Sequence, residues 1–175
     1  SPHAIYVEEG GAVDPGEWAA LLASAMADLE VAIPGGYLTA PEASAVHQVR
    51  ASAELREASG GGGRVFRGDE SFWTVILEDE MTFTPSCLNR VVSLVPTPDL
   101  GGVAGSLGTI GRHLQTVAIE GAEDRLPMLA EDLCRAGATR VTSFENAPWP
   151  PPWWHHDGAS VLAGLLRWID LEETG

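Results

Sequence analysis

The sequence predicts an α/β fold, a mostly parallel sheet covered by helices. Two observations carry that prediction. Two well-capped helices stand in the first half of the chain, and in the second half short runs of β-branched residues alternate with helical segments. Ala4-Ile-Tyr-Val-Glu8 reads as a strand closed by Gly10-Gly11. Asp14-Pro-Gly-Glu17 supplies an N-cap, a proline at the first helical position and an early acid. Trp18, Leu21, Leu22, Ala25, Met26 and Leu29 follow at helical spacing and are expected on the buried face. Thr39-Ala-Pro-Glu42 is a capping box that opens a second helix running to about Ala58, with Val46, Val49, Ala53 and Leu55 on its apolar side.

Ser59-Gly-Gly-Gly-Gly63 is a flexible turn. It follows a helix and precedes a strand, the reverse of a phosphate loop, and no Gly-Lys-Ser/Thr is present. Strands are expected at 64–67 and 72–77 about a Gly68-Asp69 turn, then at 91–95, 114–119 and 140–142. Between and after them lie a glycine-spotted helix near 100–110, a strong helix over 122–136 stopped by Gly137, and a final helix over 160–169. Met81, Phe83 and Cys134 are expected to pack.

The 175 residues read as one domain, 1–175, with 45% hydrophobic residues to build a core. The formal charge of −15, with arginine as the only basic residue type, argues against nucleic acid, because phosphate binding needs a basic face. No apolar run reaches the length of a membrane span and no secretory signal opens the chain, so a cytoplasmic location is expected, with Cys87 and Cys134 as reduced thiols. The start at Ser1, almost directly on a strand, suggests a cut inside a larger protein.

Several residues could carry chemistry. The segment 145–158 holds four prolines, three tryptophans and His155-His156-Asp157. Adjacent residues in an extended stretch point apart, and no second ligand cluster is present, so no metal site is expected there. His156 or its neighbour could instead serve a substrate oxygen, and Asp157 or Ser160 could cap the last helix. Cys87 could act as a nucleophile only if a base or Arg90 lowered its pKa. Asn89-Arg90 and His113-Leu-Gln-Thr116 set polar groups beside strands. Glu78, Asp79 and Glu80 read as a solvated turn, with one carboxylate able to face a cofactor ribose.

Taken in order, Ser86-Cys-Leu-Asn-Arg-Val-Val-Ser-Leu-Val-Pro96, Gly111-Arg-His-Leu-Gln-Thr-Val117, Arg135-Ala-Gly-Ala-Thr-Arg-Val141 and Pro150-Pro-Pro-Trp-Trp-His-His-Asp-Gly158 with Leu166-Arg-Trp-Ile-Asp170 resemble a known family. They are similar to the catalytic-domain half of acyl-CoA reductases related to the long-chain fatty acyl-CoA reductase of bacterial bioluminescence, within the aldehyde dehydrogenase superfamily. The resemblance implies an aldehyde dehydrogenase-like catalytic lobe, cut from a two-domain enzyme whose N-terminal cofactor-binding domain is missing. It implies NADP or NAD as cofactor and acyl-CoA as substrate. It also implies a nucleophilic cysteine just ahead of Ser1-Pro2, which Cys87 does not match. The glutamate that grips the nicotinamide ribose in the superfamily has no counterpart in 86–90. On this reading Asn89 and His156 are catalytic, and Arg90, His113 and Gln115 bind cofactor, with Ser86 lining the same region. A homo-oligomer stays open. The alternative is a non-catalytic binding or assembly module of the same fold.

Overall fold

In a computed structural model of the chain, residues 2–172 are described, and Ser1 lies outside them. They gather into two compact units, one ending at Ser106 and one beginning at Leu107. The helix starts form where their local chemistry dictates. Asp14 Oδ1 accepts from the Gly16 N–H at 2.8 Å, and α1 (Pro15–Ala32) begins on its proline. Glu42 accepts from both the backbone N–H of Thr39, at 2.8 Å, and its hydroxyl, at 2.6 Å, opening α2 (Ala40–Ala58).

These two bonds hold the Glu42 carboxyl below the usual carboxylate range. A depressed folded pKa stabilises the protein above the unfolded value, and that contribution fades as pH falls through the folded value. The thermal midpoints of the wild type and of Glu42→Ala are therefore expected to differ near neutrality and to converge as pH falls through the lowered folded value. A gap that persisted at low pH would contradict the assignment.

The first unit is built on a four-stranded sheet ordered β1-β4-β3-β2, from β1 (Ala4–Glu8), β2 (Arg64–Phe66), β3 (Thr74–Leu77) and β4 (Val91–Thr97). β4 pairs in parallel with β1 and β3, and only β2 runs antiparallel. One face carries Val7, Val75, Val92 and Leu94 against Ala19 and Ala23 of α1. The residues one step along each strand, Ile76 and Val91, pack with Val46 and Ala53 of α2. The sheet is thus helix-covered on both faces, which is why β4 is apolar almost throughout. Pro96 lies inside β4 without breaking a ladder. The Leu94 carbonyl faces β3, accepting from the Glu78 N–H, so the Pro96 nitrogen two residues on faces the same side, past the last β3 pair at Leu77.

The mostly parallel helix-covered sheet is as expected, but several details differ. Leu21, Leu29 and Leu55 are exposed, because α1 approaches the sheet through its alanines and α2 through Val46 and Ala53. Met81 is exposed as well, its sulfur accepting from the Thr97 hydroxyl at 3.1 Å, while Phe83 is half-buried.

In place of a helix over 100–110, a 3-10 turn at Leu100–Gly102 leads into the short α3 (Val103–Leu107), since four glycines weaken the segment. The second unit holds a two-stranded parallel sheet of β5 (Thr116–Ala118) and β6 (Arg140–Thr142), with α4 (Leu126–Ala136) between them in sequence. α4 starts four residues later than expected, placing Pro127 in its first turn. Gly137 ends it at φ +115°, and a Cβ there would meet the Gly111 carbonyl oxygen at 2.3 Å. Cys134 is exposed on α4 rather than packed. No helix forms over 160–169: a 3-10 turn at Ala163–Leu165 stands alone, and every residue from 159 to 172 is exposed. A ten-residue segment interrupted by Gly164, with no surface to pack against, cannot offset the cost of nucleation.

Candidate functional site

Parallel pairing of β1 with β4 sets Ala4 opposite Ser93, so both strands enter the sheet from one edge. That edge brings together residues distant in sequence. The Ser86 N–H donates to His3 Nδ1 at 3.1 Å, and the His3 ring lies 6.4 Å from that of Phe83. Ser86 then organises the loop into β4. Its hydroxyl accepts from the Leu88 N–H at 2.9 Å and donates to the Val91 carbonyl, while the Val91 N–H returns to the Leu88 carbonyl at 2.9 Å.

Leu88, Asn89 and Arg90 all adopt left-handed backbone, with φ of 64°, 50° and 61°. Three consecutive non-glycine residues in that region store strain, and strain of this kind collects at functional sites. Among the described residues Asn89 Nδ2 reaches only the Cys87 carbonyl at 3.4 Å, a bond at the limit of usefulness. Arg90 spends Nη2 on the Ile33 carbonyl at 2.8 Å and keeps Nη1 buried with no acceptor among the described residues. Two predicted residues, Asn89 and Arg90, therefore share a strained loop with Ser86. His3 belongs to the same cluster and was not foreseen. Its only signal in the sequence is its place directly after Ser1-Pro2. The amino ends of the strands are not where parallel sheets usually collect ligands, so backbone strain, and not the strand-end rule, marks this place.

Behind the loop, Arg50 of α2 fastens the entry to β3. Its Nε donates to Thr74 Oγ1 at 2.6 Å, and Nη2 to the carbonyls of Ser71 and Trp73 at 2.9 and 3.2 Å. Burial, then the charge of Arg67, draws its pKa down from the usual guanidinium value. Cys87 packs beside Val49, Ile76 and Val91. Burial pushes its thiol up, more than its own backbone bond and Arg50 pull it down. Iodoacetamide is accordingly expected to label Cys87 at least several-fold more slowly than the exposed Cys134 near neutral pH; faster labelling of Cys87, read by peptide mass spectrometry, would restore it as a nucleophile.

The other predicted residues lie in the second unit. Asp157, at φ 52°, accepts from Gln115 Nε2 and stands 3.1 Å from His156 Nδ1, drawing those two together. With no helix after it, Asp157 serves this cluster in place of a cap. His113 ends a 3-10 turn at Gly111–His113 and is exposed, with no hydrogen bond to the cluster. The His156 ring lies 5.0 Å from Trp154, whose other neighbour is the Arg140 guanidinium at 5.8 Å. A cleft of about 480 Å³ opens alongside, and His155, not His156, lines it with Trp149 and Trp153. Arg140 donates to the carbonyls of Asn146 and Ala147 at 2.6 and 2.9 Å, bracing the proline-rich loop. Glu78 is no solvated turn residue: it is paired with Arg56 at 2.9 Å and accepts from Ser93 Oγ at 2.9 Å.

Among the described residues, no group of three or more His, Cys, Asp or Glu side chains gathers as metal ligands, and no helix is long and apolar enough to cross a membrane. No curated protein sequence matches the chain. The strained 86–90 loop and the His156–Asp157–Gln115 cluster fall within the motifs whose order resembles one family of reductases, and the family model described as acyl-CoA reductase (LuxC) matches residues 1–168, so the chain belongs to that family.

Proposed function

We propose that the chain is part of an aldehyde dehydrogenase-like catalytic lobe of an NAD(P)H-dependent reductase that converts a fatty acyl-CoA to an aldehyde through a cysteine thioester. Family membership supports the reaction class. The observation that carries the reading further is the Ser86–His3 bond, which sets the strained 88–90 loop beside the chain just after Ser1-Pro2. In this reading a cysteine thiolate directly ahead of that pair attacks the thioester carbonyl, the bond to coenzyme A breaks, and coenzyme A leaves as the thiol after taking a proton.

The family's reductases use a nicotinamide cofactor, which when bound supplies hydride to the carbonyl carbon. The residues present fit such a group: the unpartnered Arg90 Nη1 suits a ribose or phosphate oxygen. Asn89, weakly held, can turn its amide N–H groups toward the oxygen that gains charge as the carbonyl is attacked. His156 is assigned as a proton donor, with Asp157 beside Nδ1 and Nε2 left to exchange the proton. His113 and Gln115 are assigned to the cofactor.

The test uses a protein that includes the residues ahead of Ser1, given acyl-CoA and NADPH or NADH. Cofactor oxidation with aldehyde formation is expected, and substitution of the preceding cysteine should abolish it. Absence of a cysteine at that point would overturn the mechanism. A second reading, a non-catalytic binding or assembly module, draws on the exposed Leu162, Leu165, Trp168 and Ile169. Assembly that depends on these residues, without aldehyde formation, would favour it.

A further inference from the structure

The proline-rich loop after β6 folds back along that strand, held by the two bonds from Arg140 to the carbonyls of Asn146 and Ala147. Strand and loop together line the cleft of about 480 Å³ in the second unit. Two of its tryptophans, Trp149 and Trp153, are 76% and 79% exposed. Among the described residues neither ring packs on another aromatic ring or a cation. Their backbone is stiff: the Trp149 N–H donates to the Asn146 carbonyl at 3.0 Å, the Trp154 N–H to the Pro151 carbonyl at 2.9 Å, and Pro148 and Pro150 to Pro152 fix the chain between. Two free indole faces so held can bind a ligand with little loss of freedom. We infer that this cleft binds the adenine ring of an adenine nucleotide. The inference rests on the reductase reading, in which coenzyme A and the nicotinamide cofactor both carry that ring.

Three observations choose the occupant. The first is the pair of free faces, on which a flat heterocycle stacks whatever its substituents. The second is Trp154. Its ring has the Arg140 guanidinium at 5.8 Å and the His156 ring at 5.0 Å, and its Nε1 is buried with no acceptor among the described residues. A buried indole N–H left unpaired is costly, and an alkyl chain cannot pair it, whereas the ring nitrogens of a purine can. The third is charge. The chain carries −15 overall, yet no carboxylate lines the cleft. Arg140 is its one guanidinium, and two of its five N–H donors hold the loop, leaving the others for an anion. A cationic guest, often found among clustered tryptophans, is repelled by Arg140 and meets no counter-charge. A ligand that carries phosphate meets the reverse.

The test is calorimetric titration of this chain with coenzyme A, with NADP and with pantetheine. At least one of the first two is expected to bind, and AMP to displace it, while pantetheine, which lacks adenine, does not bind. Binding of coenzyme A alone makes the substrate the source of the ring, and binding of NADP alone makes it the cofactor. Trp153→Ala or Trp149→Ala should weaken binding about fivefold to a hundredfold, the range that one stacked base contributes, and phenylalanine at the same position should retain most of it. Both rings are exposed, so these variants keep the fold. Trp168→Ala is the control, an indole 77% exposed and outside the cleft, and should change nothing. No binding of either nucleotide, equal binding of pantetheine, or binding that both cleft alanine variants leave unchanged overturns the inference. Aldehyde formation by the longer protein, without adenine-dependent binding to this chain, would sink the cleft alone. Adenine-dependent binding that an alanine variant weakens, in a protein that forms no aldehyde, would keep the cleft and sink the reductase reading.

Discussion

On the proposed reductase reading, replacing Ser86 with alanine is expected to lower kcat about a hundredfold while leaving KM for acyl-CoA within a few-fold, because the loss is of position and not of a substrate contact. The energetics of the loop explain the sensitivity. Three left-handed residues cost about 1–2 kcal/mol each, roughly 3–6 kcal/mol together. Five hydrogen bonds oppose that cost: Ser86 hydroxyl to the Val91 carbonyl, Leu88 N–H to the Ser86 hydroxyl, Val91 N–H to Leu88, Arg90 Nη2 to Ile33, and Thr74 N–H to the Arg90 carbonyl. At about 0.5–1.5 kcal/mol each they contribute roughly the same amount. The loop therefore sits near balance, and removing two bonds lets Leu88 to Arg90 relax, carrying Asn89 and the unpartnered Arg90 Nη1 away. Ser86→Thr keeps a hydroxyl and should recover most of the activity. An alanine variant with unchanged kcat, or a threonine variant no better than alanine, would remove Ser86 from the positioning role.

Leu94→Ala is expected to destabilise the chain by about 3–5 kcal/mol, read as a fall in the urea midpoint. Leu94 is 0% exposed at the centre of the four-stranded sheet, between β1 and β3 and under α1. Neighbours held by ladder bonds on both sides cannot collapse into the space it leaves. Leu55→Ala is the control, since that side chain is 70% exposed and its loss should change stability by less than about 0.5 kcal/mol. Equal losses at the two positions would mean that the sheet is not the centre of the core.

The contrast between these two leucines also shows which parts of the fold could be read in advance. Asp14, Pro15, Thr39, Glu42 and Gly137 act on backbone groups within a few residues of themselves, so the elements they begin or end were legible. Leu21, Leu29 and Leu55 were misplaced because helical spacing offers several apolar stripes, and the choice among them belongs to the surface the helix meets. The leucines after Gly158 fit a helix by sequence, yet they are exposed and give a helix no buried face to hold it.

The candidate site divides along the same line. Asn89, Arg90, Gln115 and His156 were chosen from residue type and from motif order. The left-handed run at 88–90, the bond from Ser86 to His3 and the bridging role of Asp157 were not legible, because each joins groups 42 or more positions apart or depends on backbone angles that local sequence does not set. By itself the sequence determined the starts of α1 and α2, the apolar β4 and the family, all of which depend on neighbours or on the order of motifs. Only the tertiary structure decided which faces are buried and which loop is strained, because burial and strain arise from surfaces that meet after the strands have paired.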